Sequence, residues 1–170
     1  MITDAKVLHP ADVSSVDLGG FGARFMIGSD QSDGRFALVE HPLAPRALGS
    51  PLHKHANEDE YSLVLEGRIG VQLGDDVVEG EPGDLIFKPR GQWHAFWNAG
   101  DRAARLLEVI SPGGFETYFA DLAEIFAAGP PDPEKLGAVA AKYELEVDPD
   151  SIPRLAQEHD LQLPGPPPAD

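Results

Sequence analysis

From Leu18 to Ile110, short apolar stretches are cut by Gly, Pro, Asn and Asp, the punctuation of β-strands joined by tight turns. Seven segments read as strands: Phe21–Ile27, Phe36–Glu40, Glu60–Leu65, Arg68–Leu73, Asp84–Lys88, His94–Asn98 and Ala104–Ile110. Glu66-Gly67 and Leu73-Gly74-Asp75-Asp76 fall between such runs and read as hairpin turns. Strands at this spacing predict an all-β sandwich or barrel, and closure would remove exposed edges. After Ile110 the period changes. Phe115, Tyr118, Phe119, Leu122, Ile125 and Phe126 recur at three- and four-residue steps, predicting a helix over Gly114–Ala128. Gly129-Pro130-Pro131 ends it. Asp132-Pro133-Glu134 offers an N-cap, a first-turn proline and an early acid for a second helix ending near Tyr143. A third short helix is predicted over Ser151–His159. The division expected is a β domain over 1–112, a helical extension over 113–160, and a Pro-rich, disordered tail over 161–170.

Composition narrows the classes of function. The 170 residues suit one domain. A formal net charge of −16 weighs against nucleic acid as a partner, because phosphate binding needs a basic face. It weighs equally against an anionic membrane surface. Without cysteine the chain has no disulfide, thiolate nucleophile or iron–sulfur ligand, so any metal must be held by His and carboxylates. Met1 to Pro10 lacks the basic and apolar regions of a secretory signal, and no run approaches the roughly 18 apolar residues of a membrane span. A cytoplasmic protein is expected.

The candidate chemistry lies in the histidines. His53 and His55 are one residue apart on a segment leading into a strand, so in an extended chain both face the same way. Glu60 begins the next strand run, and His94 opens the one after Gly91. Three imidazoles and a carboxylate suit zinc, manganese, iron, cobalt, nickel or copper. On spacing alone, a solvated His-Lys-His loop fits as well as a ligand pair.

The flanking residues extend the pattern. His53, His55, Glu60 and Gly67 stand at the offsets of the first cupin motif, and Gly83, Pro89, Gly91, His94 and Asn98 at those of the second. The chain thus resembles the cupins over a motif core of 47–98. Its one departure is Ala47 where the motif has glycine, with Gly49 two positions late. The resemblance implies a small jelly-roll β-barrel holding one divalent transition metal (Ni, Mn, Fe, Co, Cu or Zn) through His53, His55, Glu60 and His94. If displaced from the metal, Glu60 becomes the general base, the one catalytic candidate.

Within the cupins, the ligand set, the Glu58–Gly67 strand and the helical extension look like the quercetinase-like group. This implies an enzyme that cleaves an enol-bearing aromatic small molecule with O₂. A metal-dependent isomerase, cyclase or lyase is the alternative, and a non-catalytic module that binds a small ligand is a third. The resemblance also implies a homodimer, with the Phe115–Phe126 stripe either covering the barrel or forming that contact.

Other residues carry blander expectations. Glu58 and Asp59 read as solvated turn residues, and His9, His41 and His159 as surface histidines. Phe96 shares the strand parity of His94 and should point inward, with Trp97 outward. Phe36, Leu38, Val64, Phe87 and Tyr118 read as pocket wall or core. Arg46, Arg90 and Arg105 are candidates to bind a substrate carboxylate, with no spacing to favour one.

Overall fold

The structure, a computed structural model, describes residues 7–163. The chain runs β1 (Ser15–Asp17), β2 (Gly22–Ile27), β3 (Ala37–Leu43), β4 (Leu52–His55), β5 (Asp59–Glu66), β6 (Ile69–Leu73) and β7 (Asp76–Gly80). It continues through β8 (Leu85–Lys88), β9 (His94–Asn98), β10 (Ala104–Ser111), α1 (Thr117–Ala127), α2 (Pro133–Lys142), β11 (Leu145–Asp148) and α3 (Ser151–His159). The pairings between these strands are all antiparallel. One sheet has the order β1-β2-β3-β10-β5-β8 and the other β11-β4-β9-β6-β7. This is the jelly-roll cupin barrel expected from the sequence. Its main apolar core lies between the sheets and includes Val39, Val64, Ile69, Leu106 and Ile110.

Local chemistry explains the turns. Gly67 joins β5 to β6 at φ +78°, a conformation that glycine adopts without a Cβ penalty. Asn98 is buried at the end of β9 and stitches two loops together. Its Nδ2 donates to the carbonyls of Ala44 (2.8 Å) and Arg102 (2.7 Å), and its Oδ1 accepts from the Gly100 amide (2.9 Å). Helix α2 starts where the sequence places it, with the Asp132 side chain accepting from the Glu134 amide.

Four strands were not expected: β1, β4, β7 and β11. The last matters most, because it comes from the helical extension and pairs with β4, setting Leu145 against His55 and Val147 against His53. Phe115, just before α1, and Phe119 within it enter the main core, so the apolar stripe covers the barrel. Helix α3 covers the outer face of the five-stranded sheet. There Leu155 packs in a second cluster with Trp97, Leu48 and Ala95, and His159 stacks on Trp97 at 4.2 Å. Trp97 does point away from the interior, yet it is buried beneath this helix.

At the tail, Leu161 packs against that cluster and Gln162 bridges Ala47 in parallel. Only 164–170 of the expected disordered tail lie outside the described residues, as do residues 1–6 of the N-terminal segment. Among the described residues no helix is long and apolar enough to cross a membrane.

Candidate metal centre

The two sheets bring together the residues that the motif names. His53 and His55 project from β4, His94 from β9 and Glu60 from β5. His53 and His94 are register partners. All four residues are buried, and one ligand atom from each lies within 4.8 Å of the others.

The hydrogen bonds select the donor atoms. The Nδ1 atoms of His53 and His94 lie 2.8 and 3.0 Å from the carbonyl oxygens of Pro51 and Gln92. A carbonyl only accepts, so in each neutral ring Nδ1 carries the proton and Nε2 keeps a free lone pair. His94 Nε2 then faces Glu60 Oε2 at 3.2 Å, and His55 Nε2 faces Glu60 Oε1 at 3.3 Å. With Nδ1 protonated, His94 Nε2 and the Glu60 oxygen that faces it are both acceptors, an arrangement that a bound cation satisfies. Both ring nitrogens of His55 are buried without a hydrogen-bond partner. The donor set fits a divalent transition ion.

The titration of each group follows from its surroundings. Burial, reinforced by His94 and His55, holds His53 well below the ordinary histidine value. Burial also pulls His55 down, but the Glu60 and Glu58 carboxylates outweigh it and its pKa is raised. Burial pushes the Glu60 carboxyl upward, yet Lys88 first, then His55 and His94, keep it well below the usual carboxylate range. The carboxylate is therefore charged and available as a ligand.

Several residues around the centre are not where the sequence reading puts them. Glu58 is turned inward, with Oε2 3.4 Å from His55 Nδ1, the position from which a carboxylate orients a ligating imidazole. Asp59 holds Arg90 through both guanidinium and backbone. Arg46 pairs with Asp101, and Arg105 with Glu40 and Glu66. Phe87 is 48% exposed and stacks on Tyr61 rather than lining the interior.

His41 is fully buried, because β3 runs past the expected end at Glu40. Its Nδ1 donates to the Gly22 carbonyl at 2.9 Å, and its Nε2 lies 3.6 Å from Glu108 Oε2. Lys88 and Glu108, each 1% exposed, were not singled out. The Lys88 ammonium sits 2.8 Å from Glu60 Oε2 and 2.6 Å from Glu108 Oε1. The signal for Lys88 was parity, since it shares the inward side of β8 with Ile86. Phe115 closes the arrangement, its ring edge-on to His55 at 4.3 Å.

Comparison with known proteins agrees with this geometry. Residues 40–110 match the family model described as a cupin domain. A tetracenomycin polyketide synthase protein, TcmJ, from Streptomyces glaucescens is 35% identical over 60 residues; the match spans 35% of this chain and 40% of that protein. A predicted oxalate decarboxylase from Thermotoga maritima superposes with a TM-score of 0.59 at 19% identity, over 63% of this chain and 99% of that one. A sugar phosphate isomerase of the cupin superfamily from Silicibacter pomeroyi gives 0.55 at 23% identity, over 62% of this chain and 75% of that one. At such identities the structural likeness is one of fold. The motif residues, the family match and the barrel around them together make residues 40–110 of this chain a cupin domain.

Proposed function

We propose that the chain is a metal-dependent enzyme acting on an enolisable aromatic small molecule, with quercetinase-like dioxygenation as its reaction. The observation that carries the reading is the buried His53, His55, Glu60, His94 cluster, with one ligand atom from each within 4.8 Å of the others. A divalent ion of Ni, Mn, Fe, Co, Cu or Zn held there would supply Lewis acidity and, for redox-active ions, a route for electrons to O₂. The chain's own residues supply the rest. Glu60 is charged and takes the substrate's hydroxyl proton as general base. Glu58, 3.4 Å from His55 Nδ1, stands where it can orient that ring. Phe115, with Tyr118, Phe119 and Tyr143 packed around it, keeps bulk water from the reacting groups.

A second reading has a specific observation behind it. The similarity to a polyketide synthase protein points to a substrate rich in enolisable carbonyls and a cyclisation, isomerisation or lyase step without O₂. The test is turnover of flavonols and polyketide-like enols by metal-loaded protein, in air and under argon, with oxygen uptake and carbon monoxide recorded. Oxygen consumption with carbon monoxide release supports the dioxygenase. Conversion under argon replaces it with the second reading, and binding without conversion reduces the barrel to a ligand-binding module. If Glu60→Gln binds metal and keeps full turnover, Glu60 is not the base.

The reading includes a cytoplasmic homodimer. With the Phe115–Phe126 stripe used within the chain, the exposed Val77, Val78, Leu85 and Phe87 on β7 and β8 are the apolar surface left for a second copy. Each of these strands ends its sheet among the described residues. Light scattering on wild type and Leu85→Glu/Phe87→Glu checks this; a monomeric wild type removes it.

A further inference from the structure

The inner face of the six-stranded sheet carries a charged group that the reading above does not use. On β8, Leu85 and Phe87 point out while Ile86 and Lys88 point in. A lysine at a strand end ordinarily reaches water, and this one does not. It is a register partner of Glu60 on β5, and Ser62 on that strand is a partner of Glu108 on β10. The ion triad Glu60–Lys88–Glu108 therefore spans three adjacent strands. Ser62 Oγ donates to the same Glu108 oxygen that accepts from Lys88. The ring of Phe96 lies 5.1 Å from the ammonium. Lys88 is thus fixed on several sides, and it contacts Glu60 through Oε2.

We propose that Lys88 is a positioning residue that reserves Oε2 of Glu60, so that Glu60 offers a metal one oxygen, Oε1, and keeps a fixed partner when it leaves the metal. The proposal rests on the metal reading of the centre. Stability alone is a poor reason for the triad, because apolar replacement of a buried ion network is often neutral or stabilising. Position is a better one. The ammonium meets the single carboxylate of the His₃–Glu set at Oε2, the oxygen that also lies 3.2 Å from His94 Nε2, and leaves Oε1, 3.3 Å from His55 Nε2, without an ammonium partner. A carboxylate with both oxygens free could bind a metal in two ways, or bridge it and the substrate. With one oxygen held, it has one way to bind and one place to go.

The test is Co²⁺ binding to the full chain stripped of metal, with affinity measured against a chromophoric chelator and coordination read from the visible d–d absorption. The variants are Lys88→Met, Glu60→Gln, the pair Glu60→Gln/Lys88→Met, and Lys88→Met/Glu108→Gln. The last removes Glu108 together with Lys88, which guards against misfolding from an unpaired Glu108. Both variants that lack Lys88 but keep Glu60 are expected to bind Co²⁺ about tenfold more tightly, since a cation beside a ligand oxygen is gone. Their d–d absorption should weaken as the second oxygen raises the coordination number. In the Glu60→Gln background, removal of Lys88 should change neither quantity, because Lys88 acts through Glu60.

Unchanged affinity and spectrum in both variants that lack Lys88 but keep Glu60 would overturn the proposal while leaving the metal centre intact. So would a Lys88 effect of equal size in the Glu60→Gln background, which would make it a long-range charge only. Failure of wild type to bind Co²⁺ at all would overturn the metal reading itself.

Discussion

Phe115→Ala tests the contact between the helical extension and the candidate centre. The ring is 3% exposed. It meets His55 edge-on at 4.3 Å, stacks with Tyr118 at 4.9 Å, and contacts Phe119 at 5.7 Å and Tyr143 at 5.8 Å. Truncating a buried phenylalanine costs about 3–5 kcal/mol through lost transfer energy and the cavity left behind. Here the cavity would border the polar nitrogens of His55, so water can enter and relieve part of the cavity cost. The expected loss is therefore about 3 kcal/mol, or roughly 6–12 °C in Tm for a chain of this size. Urea unfolding of the metal-free protein measures it. The same substitution opens a path to His55, so stopped-flow Co²⁺ uptake should become faster. A loss below about 1 kcal/mol, the size of an ordinary substitution, would refute the packing argument. An unchanged uptake rate would show that ions enter elsewhere.

Three further outcomes follow from the same geometry. His41 has a pKa lowered by burial, against the opposing pull of Glu108. Below pH 6.5 the unfolded chain therefore binds a proton that the folded chain refuses, and stability falls by about 1.4 kcal/mol per pH unit from this group, until its folded pKa is reached. His41→Gln removes that slope, so the stability advantage of wild type should shrink between pH 7 and pH 5; a constant gap would refute the assignment. Asn98→Ala takes the Asn98 partner from the Arg102 carbonyl and the Gly100 amide, and one of two donors from the Ala44 carbonyl. It should cost about 2–4 kcal/mol in urea unfolding, and a loss under about 0.5 kcal/mol would refute the role of the stitch. A chain ending at residue 112 loses β11 from beside β4 and Phe115 from against His55. It should retain no tightly bound ion by elemental analysis, and one ion per chain at wild-type affinity would show residues 113–163 to be dispensable.

What the sequence made legible was whatever depends on neighbours along the chain. Alternation and turn residues located seven strands, the helical stripe located α1, the Asp132-Pro133-Glu134 start located α2, and a third helix was expected where α3 lies. The resemblance to the cupin motifs named His53, His55, Glu60 and His94, four side chains that the barrel does bring together. Residues whose environment comes from distant strands were misread. His41 precedes Pro42 and looks like the end of a strand, but β3 continues to Leu43 and carries the ring inward. Lys88 follows Phe87, and hydrophobicity alone would send Phe87 in and Lys88 out. Pairing with Glu60 and Glu108, from strands well separated in sequence, reverses that order. Trp97 was correctly placed on the outward side of β9, yet its burial depends on α3, more than fifty residues later. Strand β11 sits between two strong helix signals and is too short to show its own period; it exists because β4 has a free side to pair with.

That last pairing sets an order of events during synthesis. Strand β4 carries two of the four converging residues, yet its only register partner in β9 is the His53–His94 pair. Its continuous neighbour is β11, the final strand among the described residues. At about 5–20 residues per second, the stretch between His55 and Leu145 takes the ribosome roughly 5–18 s to make. Through that interval His53 and His55 lie on a strand without its main support, while Glu60 and Lys88 already have each other as partners. The nascent barrel therefore carries a neutralised carboxylate and two loosely held imidazoles. The four ligand atoms are therefore expected to converge only once β11 has docked beside β4.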